Sequence, residues 1–134
     1  MKTDPKVLST FLAAAIWADG EYDEFEKELG KDLADELEIS TLPVLLEKEI
    51  KATENMTEEA LADYLEETAK KVDKGESQGI LTLCLQMMCA DAFLAQDEMD
   101  NFFAFAEILG IDDAIATAIL DEFVDEEEDL IIEE

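Results

Sequence analysis

The 134-residue chain contains no histidine and no arginine, only two cysteines and two prolines, and no basic residue beyond Lys74. Each shortage excludes something. Without histidine, two cysteines cannot complete the ligand set of zinc, haem or an iron–sulfur cluster. Cys84 and Cys89, five apart in an apolar helical run, stand about 7.5 Å apart along the axis and roughly 140° apart round it, which rules out a disulfide between them. Two buried small hydrophobes in a reducing compartment are expected instead. No serine–histidine pair, nucleophile elbow or phosphate loop is present, and no two carboxylates are marked out as an acid–base pair in one cleft, so an enzyme is not expected. Neither a nucleotide nor a flavin is expected.

The nine lysines face 37 acids, for a formal net charge of −28. All nine lie in the first 74 residues beside 20 acids, and the remaining 60 residues hold 17 acids and no base. Such a chain has nothing to replace the counterions of a nucleic acid or to attract an anionic membrane. Cations and basic proteins or peptides are the partners its field favours. Self-repulsion at this charge also opposes the compact state, so salt or bound cations should help the fold. With a hydrophobic fraction of 49% the chain is nonetheless rich enough in apolar residues to bury a core. The lysines near the start and the apolar Val7 to Ala18 mimic a signal peptide, but Asp4-Pro5 interrupts the pattern and the run leads into acidic helices. A cytoplasmic location is expected.

Hydrophobic periodicity predicts an all-α, single-domain bundle of about seven helices. Asp4-Pro5 opens the first, over 5–19, through Val7, Leu8, Phe11, Leu12, Ala15 and Ile16. Gly20 suits a left-handed helix end, and Asp23 with Glu26 three residues on forms a capping box for a second helix over 24–37, with Phe25, Leu29, Leu33 and Leu37 on one stripe. The third follows Ser40-Thr41-Leu42-Pro43 through Val44, Leu45, Ile50 and Ala52. Thr57 opens the fourth, and Asp73-Lys74-Gly75 breaks it. The fifth, 77–92, is apolar nearly all round and is expected to be the central, most buried one. Its methionines, like the phenylalanines of the sixth helix (96–109), are expected in the core. Gly110 ends the sixth and Asp112 caps a seventh. The helical domain spans 1–124, and an acidic tail, 125–134, is expected to be exposed, although Leu130-Ile131-Ile132 offers a way to dock.

The chain repeats itself at an offset of 72. Ala18-Asp19-Gly20-Glu21-Tyr22 aligns with Ala90-Asp91-Ala92-Phe93-Leu94, and Glu26 aligns with Glu98. Phe11, Ala15 and Ile16 align with Leu83, Met87 and Met88, while Leu33, Ala34, Leu37 and Ile39 align with Phe105, Ala106, Leu109 and Ile111. A helix–acidic corner–helix unit thus occurs twice, over about 5–39 and 77–111, which implies a pseudo-twofold bundle.

Two readings of the corners stand side by side. Asp19, Asp23 and Glu26 can converge on a hard cation, Ca²⁺ or Mg²⁺, with Asp91, Asp97 and Glu98 as a weaker second set. Alternatively, Asp23 and Glu26 are helix caps and Asp19 accepts loop amides. An EF-hand is excluded, because Glu24 stands where its loop needs glycine and Gly30 stands at the twelfth position. Asp19 is the hardest to explain by stability, since an anion near a helix C-terminus opposes the dipole.

The apolar helix ending in Ala18-Asp19-Gly20, then Tyr22 and Glu26, and the second copy from Ala90-Asp91 to Glu98 followed by Leu109-Gly110-Ile111, together resemble the TerB-like family of tellurite-resistance proteins. The resemblance runs from about Leu8 to Phe123. It implies a non-enzymatic, all-helical cytosolic domain with acidic, cation-binding corners, a role in tellurite and other chemical-stress responses, and service as a scaffold or adaptor for other proteins. Ala92 and Ala95 depart from the pattern at the second corner, and the bare acidic tail is particular to this chain.

Overall fold

A computed structural model describes residues 2–19, 24–90, 92–127 and 130–132, the side chains of Ala18 and Asp19 excepted. Seven helices follow one another: α1 (Pro5–Asp19), α2 (Glu24–Glu36), α3 (Leu42–Thr53), α4 (Glu58–Ala69), α5 (Ser77–Met88), α6 (Gln96–Ile108) and α7 (Asp113–Glu126). A 3₁₀ turn at Lys74–Glu76 precedes α5. The all-α class expected from periodicity is the class observed. One feature was not expected: β1 (Phe93–Leu94) pairs in parallel with β2 (Ile131–Ile132), with Phe93 opposite Ile131 and Leu94 opposite Ile132. The end of the acidic tail therefore lies against the second corner, where the Ile131 N–H donates to the Ala92 carbonyl at 2.9 Å.

Two helix starts use the side chains expected to set them. Asp4 Oδ1 accepts the Lys6 N–H at 2.9 Å, and the Thr57 hydroxyl accepts the Ala60 N–H at 3.1 Å, each relieving an amide that the first turn leaves without a helical partner. Asp112 occupies the N-cap position of α7, but its side chain makes no capping hydrogen bond.

The central helix is α1, not α5. Every residue from Val7 to Ile16 is buried, and α1 packs against α3, α4, α5 and α6. The polar pair Ser9 and Thr10 disguises this in the sequence. Their hydroxyls turn back on the helix itself, Ser9 Oγ to the Pro5 carbonyl at 2.8 Å and Thr10 Oγ1 to the Lys6 carbonyl at 3.0 Å, so they enter the core at little desolvation cost. Ala13, Ala14 and Ala15 let neighbouring helices approach closely. Leu8, Phe11, Leu12 and Ile16 are fully buried, and each contributes on the order of 1.5–3 kcal/mol. On α5 the inward face is Ile80, Leu81, Cys84, Leu85, Met87 and Met88, so both methionines belong to the core. Burial pushes the Cys84 thiol up to about 12; Cys84 and Cys89 are both thiols. On α3 the buried positions are Leu42, Leu46, Glu49, Ile50 and Thr53. Val44 is instead exposed, since it lies two residues, about 200°, from Leu42 and Leu46.

The repeat is visible at both second-helix ends. In copy one the Ile39 N–H returns to the Ala34 carbonyl at 2.9 Å, and in copy two the Ile111 N–H returns to the Ala106 carbonyl at 2.8 Å. Each is the six-to-one bond of a Schellman motif, which needs a left-handed residue just before it. Gly110 supplies it in copy two (φ 76°), and Glu38 in copy one (φ 58°). Ala92, at the position equivalent to Gly20, is also left-handed (φ 63°). At their second-helix ends the two copies thus share a backbone turn but not the residue type that suits it.

Candidate functional site

The sequence points to the two acidic corners. Of the first set, Asp23 lies outside the described residues, as do Gly20 and Tyr22, and Asp19 is described only as the last residue of α1. Glu26 stands at the third position of α2 and is 2% exposed. Of the second set, Asp91 lies outside the described residues. Glu98, at the third position of α6, is likewise 2% exposed. Its Oε1 accepts the Ala95 N–H at 2.8 Å, which is the carboxylate half of a capping box. Asp97, one residue earlier, is exposed. Neighbours on a helix diverge by about 100°, so these two carboxylates face different surroundings. Among the described residues no three of histidine, cysteine, aspartate and glutamate gather as a cation's ligand set.

A second cluster lies where α1, α3 and α4 meet. The Tyr64 hydroxyl donates to Glu49 Oε2 at 2.9 Å and to Oε1 at 3.2 Å. Thr53 donates to the Glu49 carbonyl at 2.7 Å and accepts from Trp17 Nε1 at 2.9 Å. Burial pushes the Tyr64 phenol up, a contact with the Thr10 hydroxyl opposes this, and the Glu49 carboxylate adds to the rise. No sequence pattern marks this network, because Trp17, Glu49 and Tyr64 are far apart along the chain and none belongs to a motif. Its chemistry is that of a buried carboxylate satisfied by a phenol, which ties three helices together.

A groove of about 520 Å³ lies between α2, the end of α5, α7 and the tail, within the range of roughly 300–1,000 Å³ usual for binding clefts. From α2 it takes Phe25, Leu29 and Leu33 and, alongside, Glu28, Asp32 and Glu36. Its far side is formed by Phe123, Glu127 and Leu130. Phe25 is 63% exposed, so the apolar stripe expected to pack inward is covered only from Leu29 onward. A smaller concavity of about 490 Å³ adjoins β2 and α7, with Asp121 and Asp125 among its lining residues. Neither concavity is lined by a lysine. The groove was legible in part: the carboxylates at 28, 32 and 36 are four apart on a helix, a periodic signal that passes for an ordinary solvated face.

No family model, curated protein or solved structure matches the chain. No helix among the described residues is long and apolar enough to cross a membrane.

Proposed function

We propose that this chain is a non-enzymatic, acidic interaction module of TerB-like type, an adaptor that binds basic proteins through carboxylate-lined concavities. One observation carries the reading: the groove beside α2 and the concavity beside β2 each combine apolar residues with aspartates or glutamates, and neither lining holds a lysine. A net charge of −28 adds a long-range field that steers cationic partners and rejects anionic ones. The capping geometry of Glu98 supports the reading in which corner carboxylates serve their own helices. The stress-response role that the TerB-like resemblance implies belongs to the same proposal, and it rests on Ala18-Asp19, Glu26 and their counterparts in the second copy.

The test is capture from lysate on the immobilised chain at low and high salt, with and without Ca²⁺. Basic proteins that bind at low salt and elute as salt rises support the module. Capture indifferent to salt refutes it. Capture that appears only with Ca²⁺, and is lost in Asp19→Ala, replaces it with a cation-responsive scaffold holding the ion at Asp19, Asp23 and Glu26.

A further inference from the structure

We infer that the groove beside α2 is the seat of a basic amphipathic helix supplied by a partner protein. The inference rests on the acidic-module reading and specifies where and how that module binds. Along α2 the apolar residues Phe25, Leu29 and Leu33 fall four apart, and so do the acidic residues Glu28, Asp32 and Glu36. The two rows lie three residues apart, hence about 60° round the helix; each runs for roughly 12 Å, and together they span roughly 17 Å, or three turns. A partner helix with an apolar stripe flanked by a basic stripe repeats at the same period, so both rows are met along the whole length.

The surroundings select this occupant. Packing of α2 is chiefly against α3, so the Phe25 edge faces the groove instead of another helix. Across it, Phe123 and Leu130 supply a second apolar wall and Glu127 another carboxylate. That wall is held by the β1–β2 pairing and by the hydrogen bond from Ile131 to Ala92. A second copy of the chain is disfavoured, because it would bring another −28 charge to an acidic cleft. An anionic ligand would meet four carboxylates of its own sign, and a neutral one would gain nothing from them. A cationic chain lacking apolar residues would leave Phe25 in water.

The probe is a fluorescent peptide of about 18 leucines and lysines in helical period, long enough to be helical on its own. Its control has the same composition in scrambled order. Full-length chain is titrated at low salt and anisotropy is read. The amphipathic peptide is expected to bind about tenfold more tightly than the scrambled one. The triple variant Glu28→Lys, Asp32→Lys, Glu36→Lys is expected to lose about tenfold or more, as three contacts turn repulsive. A matched triple on exposed α4 positions, Glu59→Lys, Asp63→Lys, Glu66→Lys, makes the same change in net charge and is expected to lose less than about threefold. Phe25→Ala, at an exposed position whose truncation leaves no cavity, is expected to weaken binding severalfold. Equal losses in the two triple variants, or equal binding of both peptides, would overturn the groove while leaving the acidic module standing. Failure of the unmodified chain to bind either peptide would remove both.

Discussion

The left-handed residue that closes each Schellman motif allows a stability prediction free of functional assumptions. Glu38 holds φ 58°, and Gly110 holds φ 76° at the equivalent place. A residue with a Cβ costs about 1–2 kcal/mol in this conformation. Glycine avoids that cost but loses roughly 0.5–1 kcal/mol more backbone entropy on folding. Glu38→Gly should therefore stabilise the chain by about 0.5–1 kcal/mol. Removing a carboxylate from so acidic a protein would itself help, so the comparison that matters is with Glu38→Ala, which removes the same charge and keeps the strained φ. In urea, with a slope of roughly 1.5 kcal/mol per molar, the glycine variant should unfold about 0.3–0.7 M later than the alanine variant, with the slope unchanged. The thermal midpoint should differ by about 2–4 °C. The reverse change, Gly110→Ala, should cost a similar amount through backbone strain alone, because a Cβ built there meets nothing within 4 Å. Circular dichroism at fixed salt reads all of these. If Glu38→Gly proves no more stable than Glu38→Ala, the turn does not hold the left-handed geometry and the account of the repeat fails.

Other predictions concern side chains. Glu98→Ala should cost about 1 kcal/mol by removing the cap on the Ala95 amide, whereas Glu98→Gln, which can still accept it, should cost less in the same denaturation series. Tyr64→Phe strips the buried Glu49 carboxylate of its phenol donor and should destabilise by about 1–3 kcal/mol, with much of the loss recovered in Tyr64→Phe combined with Glu49→Leu. Because the Tyr64 phenol is raised from its ordinary 10.0, its contribution is fully present below that pH and fades as pH rises through the elevated value, which absorbance titration of tyrosine ionisation follows. Glu76 accepts the Thr3 hydroxyl and amide, both at 2.6 Å, and the Lys2 amide at 2.9 Å. Thr3's hydroxyl, foremost, holds the Glu76 carboxyl below its ordinary 4.5. This docking of the N-terminus is complete above the usual glutamate range and is lost as pH falls through the depressed value. The Thr3 amide resonance should report a midpoint below 4.5, and Glu76→Gln should abolish that titration.

Much of the architecture was determined by local pattern. Apolar spacing, Asp4-Pro5, Thr57, Asp73 and Gly110 located the seven helices because caps and left-handed turns act within a few residues. The duplicated unit was legible for the same reason, since its turns are set by short-range hydrogen bonds. What the tertiary structure alone decided is which faces meet. It placed α1 at the centre, because the Ser9 and Thr10 hydroxyls satisfy themselves on their own helix and so can be buried. It brought Trp17, Glu49, Thr53 and Tyr64 into one network, a contact that no helical period encodes. It also set the tail strand against β1, and so made the far wall of the groove from residues about a hundred positions away from α2. The acidic stripe of α2 is written in the sequence, but a stripe becomes a groove only when something stands opposite it.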